Sequence, residues 1–256
     1  MLIILPPSET KRPAPRMGSP LDLDRLAFPA LNPMRERVVA ALIETSTRPD
    51  ALERLRVRPG LIKDVVQNTA LRRTPTQPAW QLYSGPLYQG LDPDSLSKAA
   101  VARAKRWVLV ASALWGALRP TDLIPTHRLD VCSHLVGMDR LQPLWRTVLP
   151  AQLATAAGPH GVVLDLRSTG YRAIGLPAGM ADRTVLVRVL PRPGERTVGD
   201  VIAKRVRGQV ARHLLESGAD PMNPDELVDA LADQWPARLD PPASGKSWVI
   251  RLRPSD

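Results

Sequence analysis

Short apolar runs most constrain the fold of this chain. They occupy residues 2–5, 107–113, 162–166 and 184–190, and amphipathic or Pro-initiated segments separate them. The first two runs are continuously apolar over residues 2–5 and 108–110, which is typical of strands that are buried on both faces, and the other two are predicted as strands. A further run at 248–252 alternates and predicts a half-buried last strand. This interleaving of strands and helices predicts an α/β or α+β fold.

Helix starts are marked by Pro at the first helical positions. Asn32-Pro33 and Asn223-Pro224 each combine a capping side chain with such a Pro. Glu226, at the third position of the second helix, completes a motif close to a capping box with Asn223. Further helices are predicted over 52–71, broken near Pro59-Gly60, and over 92–106. Residues 83–91, rich in Gly and Tyr, are predicted to form a loop with a short strand. The clearest amphipathic helix spans 198–217. Its apolar stripe consists of Val198, Ile202, Val206, Val210 and Leu214.

Length, cysteine content and charge indicate the number of domains, the cellular location and the type of partner. The 256 residues are 44% hydrophobic and show no Gly/Ser linker, so we expect one domain over 1–256. One cysteine and no apolar run of signal or membrane-span length favour a cytoplasmic protein without a membrane partner. The formal net charge of +10 indicates a polyanionic partner, namely DNA or a nucleotide-like molecule.

Polar residues follow two of the predicted strands directly. Ser8, Glu9 and Lys11 come after the first strand, and Ser168 and Tyr171 come after the strand that ends near Asp165. Because α/β proteins commonly place ligands at the carboxyl ends of strands, we expect these residues near one site. Glu9 and Asp165 are the candidate acids or bases, since a carboxylate in an apolar run must be paired or functionally placed. A capping turn and a structural ion pair are the competing interpretations.

Cations in two other segments are candidate phosphate contacts. Arg119 precedes Pro120, whose stiff backbone reduces the entropy lost when the guanidinium binds, and Arg128 follows in the same segment. On the amphipathic helix, the stretch 203–213 carries cations but no acid. Its candidate phosphate-binding residues are Lys204, Arg207, Gly208 and Arg212, the glycine leaving room for a ligand to approach the backbone.

Metal binding is not predicted. His127, Cys132 and His134 lie close in sequence, but their spacing fits no zinc pattern, and no ligand set for iron is evident. No phosphate-loop or dinucleotide fingerprint occurs either. We therefore predict no metal and no cofactor.

Several sequence blocks occur in order along the chain. The first is the opening strand with its Ser8-Glu9-Thr10-Lys11 loop. The others are Tyr88-x-Gly90-Leu91, Leu114-Trp115-Gly116-x-Leu118-Arg119-Pro120-x-Asp122-Leu123-Ile124-x-x-x-Arg128-Leu129, Val163-x-Asp165-Leu166-x-Ser168-x-x-Tyr171 and Lys204-x-x-Arg207-Gly208-x-x-Ala211-Arg212. Together these blocks resemble the YaaA family of peroxide stress proteins, although some members place the Lys of the first loop earlier.

The resemblance implies a "cantaloupe"-type half-shell around a basic cleft, and a role in limiting oxidative damage associated with lowered free iron and DNA binding. Two hypotheses remain open at this point. One is a binder of DNA or another phosphate-rich ligand. The alternative is an enzyme acting on a nucleotide or nucleobase-like molecule, with the strand-end Ser, Glu, Asp and Tyr residues as acid or base and the cations holding phosphate.

Overall fold

The structure is a computed structural model that describes residues 1–176, 179–192, 194–243 and 245–254. Its strands are β1 (Leu2–Leu5), β2 (Thr76–Pro78), β3 (Val108–Ser112), β4 (Gly116–Leu118), β5 (Leu123–Pro125), β6 (Val163–Asp165), β7 (Thr184–Val189), β8 (Ala237–Asp240) and β9 (Trp248–Leu252). Its α-helices are α1 (Asn32–Ser46), α2 (Ala51–Arg54), α3 (Ile62–Gln67), α4 (Ala79–Leu82), α5 (Pro86–Leu91), α6 (Lys98–Trp107), α7 (Leu141–Arg146), α8 (Leu149–Ala157), α9 (Thr169–Arg172), α10 (Asp200–Ser217) and α11 (Pro224–Ala232). Short 3₁₀ turns lie at Leu23–Arg25, Pro29–Leu31, Pro59–Leu61, Asn68–Ala70, Pro93–Ser95 and Ala181–Arg183.

A mixed sheet forms the centre of the α/β fold. Within the described ranges its strand order is β4-β3-β1-β6-β7-β9-β8. The five central strands run parallel, and β4 and β8 pair antiparallel at the two edges. A separate antiparallel ladder joins β2 and β5. The parallel strands bring the carboxyl ends of β1 and β6 side by side, because Ile4 pairs with Asp165.

The apolar runs predicted as strands are confirmed. Every residue of β1, β3 and β6 is buried, including Asp165 at the end of β6. Continuous burial fits strands that are covered on both faces. None of the described helices combines the length and apolar character needed to span a membrane.

Two helix starts test the capping predictions. At α11, Asn223 Oδ1 accepts from the Glu226 N–H at 2.9 Å, as predicted. At α1, Asn32 is instead the first helical residue, and its Oδ1 accepts from Arg35 Nη1 at 2.8 Å. The N-cap prediction at Asn32 is therefore wrong, because Arg35 takes up the side-chain oxygen that would have capped the backbone.

Two other helix predictions also need correction. Residues 86–91 form α5 rather than a loop with a strand, starting with Pro86 directly after Gly85. On α10, the stripe is buried from Val206 onward, whereas Ile202 is exposed. The core therefore covers α10 from Ala203 onward, and Val201 and Ile202 lie outside it.

Candidate strand-end binding site

A pocket of about 380 Å³ lies at the carboxyl ends of β1 and β6, where α/β proteins commonly place ligands. We call it the strand-end pocket. It is lined by residues 6–10 after β1, residues 85–88 at the start of α5, and Asp130, Leu166, Ser168, Tyr171, Lys204 and Arg207. Segments far apart in sequence therefore meet here, and six of the predicted site residues are among the lining residues.

Contacts with α5 fix the loop after β1. Ser8 Oγ accepts a hydrogen bond from the Gly85 N–H at 2.9 Å, and the Tyr88 hydroxyl donates to the Pro6 carbonyl at 2.9 Å. A side chain at residue 85 would meet Ser8 Oγ, since a Cβ there would lie 2.3 Å away. Gly85 thus allows the close approach that holds Ser8 and Glu9 at the pocket.

Two cations of α10 line the pocket. Lys204 Nζ lies 2.5 Å from Asp200 Oδ2, one helical turn earlier. Arg207 is half-buried, and its Nε donates to the Val187 carbonyl at 3.3 Å. Burial, followed by the neighbouring Arg172, lowers the pKa of Arg207. Since an arginine keeps its charge in proteins, the pocket has a partly desolvated cation that an anion would stabilise.

Tyr171 and Asp130 add polar groups to the lining. Burial is the main cause that raises the pKa of Tyr171 well above its usual value, and the Asp130 carboxylate raises it further. The phenol therefore keeps its proton at neutral pH and can donate a hydrogen bond. Asp130 Oδ1 accepts from the Cys132 N–H at 2.8 Å. Sequence reasoning missed Asp130, although it stands only two residues after Arg128.

A second cavity of about 420 Å³ adjoins the strand-end pocket and shares Glu9 and Thr10 with it. We call it the Lys11 cavity. Its lining includes Lys11, Asp64, Thr126, His127 and Arg128. The Arg128 Nη2 donates to Glu9 Oε2 at 2.9 Å, so this ion pair lies where the two cavities meet.

Asp165 does not line either cavity. Arg167 donates to both of its carboxylate oxygens, from Nε at 2.9 Å and from Nη2 at 2.8 Å, and both side chains are fully buried. This is the structural ion pair that competed with the acid–base interpretation. Because Arg167 satisfies the carboxylate away from both cavities, the catalytic role predicted for Asp165 has no support in the structure.

Gly208 serves helix packing rather than ligand approach. A Cβ at this position would lie 1.9 Å from the Leu87 carbonyl oxygen and 2.8 Å from the Leu91 nitrogen. The backbone of α5 therefore fills the space that the sequence suggested for a ligand. That prediction is wrong, since the missing side chain admits a neighbouring helix.

Arg212 and Arg119 also lie apart from the strand-end pocket. Arg212 Nη1 donates to the carbonyls of Leu91 and Asp92, at 3.0 and 2.9 Å, so it caps the carboxyl end of α5. Arg119 Nη1 donates to the carbonyls of Arg106 and Val108, at 2.7 and 3.2 Å. Val108 starts β3, so Arg119 sits at the opposite end of the sheet from the pocket. The structure therefore does not bring these two cations to a shared site.

The structure is that of an α/β protein with a pocket at the ends of its parallel strands, lined by two cations and two carboxylates. The model of a family described as "Peroxide stress protein YaaA" matches residues 1–238. The chain belongs to this family, as the sequence blocks indicated.

Curated relatives agree with this assignment. A UPF0246 protein of Streptomyces coelicolor is 41% identical over 255 residues, which cover 98% of this chain and 97% of that protein. A UPF0246 protein of Corynebacterium efficiens is 38% identical over 233 residues, covering 90% and 91% of the two chains. A third, from Cereibacter sphaeroides, is 29% identical over 241 residues, covering 91% and 92%.

Proposed function

We propose that this peroxide stress family protein binds DNA or another phosphate-rich ligand in the strand-end pocket. The observation that carries the proposal is the placement of Lys204 and Arg207. Both cations of α10 line the same 380 Å³ pocket as the polar loops that follow β1 and β6. Pockets of this size take a small ligand, which for a nucleic acid means a single nucleotide unit.

Phosphate can reach the Lys204 ammonium at little cost. Its present partner, Asp200, has a side chain that is 75% exposed, and the Lys204 side chain is 43% exposed. An exposed ion pair of this kind contributes only about 0–1 kcal/mol. A phosphate that also contacts Arg207 would therefore displace Asp200 readily and offset the partial desolvation of the guanidinium.

A long polyanion would gain further from the charge of the whole protein. The net charge of +10 attracts DNA over distances of about a Debye length. Tyr171, which stays protonated, offers a hydrogen-bond donor and an aromatic face inside the pocket. This combination of cation and aromatic ring suits an unpaired nucleotide.

Charge-removing substitutions on α10 test the proposal. Binding of a fluorescent single-stranded oligonucleotide and of a nucleoside monophosphate is measured for Lys204→Gln, Arg207→Gln and the control Arg205→Gln. Arg205 is an exposed cation of the same helix that does not line the pocket. We expect the pocket variants to lose about tenfold in affinity, equal to about 1.4 kcal/mol, and Arg205→Gln to lose much less.

The salt dependence separates specific from diffuse binding. Each lost phosphate contact should reduce the slope of log K against log salt by about 0.7 for single strands. An equal loss for Arg205→Gln would indicate binding over the general basic surface and contradict the pocket. So would the absence of any binding at low salt.

A second candidate function is catalysis on a nucleotide or nucleobase-like molecule. The pocket contains the carboxylates of Glu9 and Asp130 beside its cations, and a surface that only binds phosphate has no need of these acids. Since Asp165 is paired with Arg167, Glu9 is the remaining predicted acid or base. Glu9→Gln should leave or tighten phosphate binding under the first proposal, whereas it should abolish turnover under the second.

A further inference from the structure

The Lys11 cavity holds a lysine in unusual surroundings. Lys11 follows the β1 loop, and its backbone forms an isolated bridge with Tyr83. Neighbouring bonds hold this stretch in place, from the Arg12 N–H to the Leu82 carbonyl at 2.8 Å and from the Ser84 N–H to the Thr10 carbonyl at 3.1 Å. The lysine side chain is therefore presented to a 420 Å³ cavity from a fixed backbone.

The amine of Lys11 has no carboxylate partner. Its Nζ donates to the Ser8 carbonyl at 2.8 Å and lies 5.6 Å from the centre of the Tyr83 ring. Among the described residues, no Asp or Glu forms an ion pair with it, and Glu9 is taken by Arg128. An ammonium has three hydrogens to donate, so one carbonyl and one aromatic face stabilise the charged form less than a carboxylate would.

The charged and titratable groups around Lys11 have opposing effects on its pKa. Burial is the main cause that lowers the pKa of Lys11 to about 7, and Arg128 lowers it further, whereas Glu9 and Asp64 raise it. His127 is buried in the same cavity, and burial lowers its pKa to about 3, so its ring stays neutral. Near neutral pH a large share of Lys11 therefore carries a free lone pair, which is the nucleophilic form.

We propose that Lys11 is a carbonyl-reactive amine, which forms a Schiff base with a small aldehyde or ketone whose anionic group rests on Arg128. Both side chains line the same cavity. The Glu9 side chain that now pairs with Arg128 is 66% exposed, so an anionic ligand can replace it at little cost. This inference goes beyond the proposed phosphate binding at Lys204 and Arg207 and does not depend on it.

The reaction is a condensation that balances without an oxidant or reductant. The Nζ lone pair attacks the carbonyl carbon, and a C–N bond forms while the carbonyl electrons move to oxygen. Both amine hydrogens then leave with that oxygen as water, and the C=N bond completes the imine. Hydrolysis by the reverse path returns the free lysine.

Pyridoxal 5′-phosphate tests this inference, because it combines an aldehyde with an anion and serves purely as a probe. The full chain is treated with substoichiometric probe at pH 7, reduced with borohydride and mapped by peptide mass spectrometry. The chain has six lysines, and four of them, Lys63, Lys98, Lys105 and Lys246, are exposed and act as internal references. We expect the adduct on Lys11 to exceed the average of these four by at least roughly tenfold, because ordinary lysines are almost fully protonated at this pH.

Two variants and a second probe test the separate roles of Lys11 and Arg128. Lys11→Arg keeps a cation but should remove the adduct, while Arg128→Gln and pyridoxal without phosphate should each reduce labelling several-fold. Labelling spread evenly over the lysines, or absent from Lys11, would overturn the inference. Equal labelling by both probes would overturn the role of Arg128. Loss of oligonucleotide binding in Lys204→Gln would bear only on the proposed function, so the two failures are distinguishable.

Discussion

Arg167 and Asp165 form a fully buried ion pair, with the guanidinium donating to both carboxylate oxygens. The Arg167 Nη1 also donates to the carbonyls of Tyr171 and Gly175, at 3.2 and 3.1 Å. One arginine therefore ties the end of β6 to the segment around α9 that brings Ser168 and Tyr171 to the strand-end pocket. The pair positions pocket residues, although neither of its members lines the pocket.

Removing one partner of this pair should destabilise the protein strongly. Asp165→Leu leaves a buried guanidinium without its counter-charge, which costs about 3–5 kcal/mol. Urea denaturation measures this loss, and the double variant Asp165→Leu/Arg167→Leu should recover a large part of it. An Asp165→Leu protein that keeps its stability but loses all ligand binding would contradict the structural role and restore Asp165 as a candidate functional group.

The close contact between α5 and α10 yields a second prediction. Gly208→Ala places a Cβ 1.9 Å from the Leu87 carbonyl oxygen, so the two helices must separate. We expect a loss of at least about 1–3 kcal/mol in the free energy of unfolding.

Gly60→Ala is the matched control for this substitution. Nothing lies within 4 Å of a Cβ at residue 60, which lies in an exposed 3₁₀ turn. It should be neutral, or stabilise by roughly 0.4–1 kcal/mol through the unfolded chain. Equal effects of the two changes would show that α10 and α5 do not pack as described.

Substitution of Arg212 tests whether this side chain caps α5 or binds the ligand. Arg212→Gln removes charge-assisted bonds to the carbonyls of Leu91 and Asp92, each worth about 1.5–3 kcal/mol. The expected result is a lower midpoint of urea unfolding, with oligonucleotide affinity close to that of Arg205→Gln. A loss of affinity as large as that of Arg207→Gln, at unchanged stability, would return Arg212 to the binding site.

The apolar runs in the sequence predicted β1, β3, β6 and β7, because short continuous apolar segments in a protein of this size are usually buried strands. Local pattern did not predict β2, β4, β5 or β8, because their segments carry turn residues or charged side chains instead of a continuous apolar run. Nor could it identify α5, since the helix at 86–91 depends on packing between Gly90 and α10. Such elements are stabilised by tertiary contacts that local propensity does not record.

The site was predictable to the extent that it follows strand ends. Ser8, Glu9, Ser168 and Tyr171 lie at the strand-end pocket because parallel neighbours bring their carboxyl ends together. The sequence did not predict which cations line the pocket and which form structural contacts. The acid-free stretch 203–213 contains both Arg207, which lines the pocket, and Arg212, which caps α5. The two arginines differ in role because α5 packs beside Arg212, and the sequence does not show where α5 lies.

The last prediction concerns the pH dependence of stability. The pKa of Lys11 is about 7 in the folded protein, against 10.5 as its ordinary value. Between these two values the unfolded chain binds a proton that the folded chain lacks, so the Lys11 contribution to stability rises with pH. The slope is at most about 1.4 kcal/mol per pH unit. Well below pH 7 and well above pH 10.5, Lys11 has the same protonation in both states and should contribute no slope.

Urea unfolding of the natural protein and of Lys11→Met between pH 6 and 9.5 measures this term. The difference in unfolding free energy between them should shift in favour of the natural protein as the pH rises above 7. Lys63→Met, which removes an exposed lysine, is the control and should run parallel to the natural protein. A Lys11→Met curve that also stays parallel would mean that the folded protein holds Lys11 as an ordinary ammonium, and the nucleophile proposed for the Lys11 cavity would be lost with it.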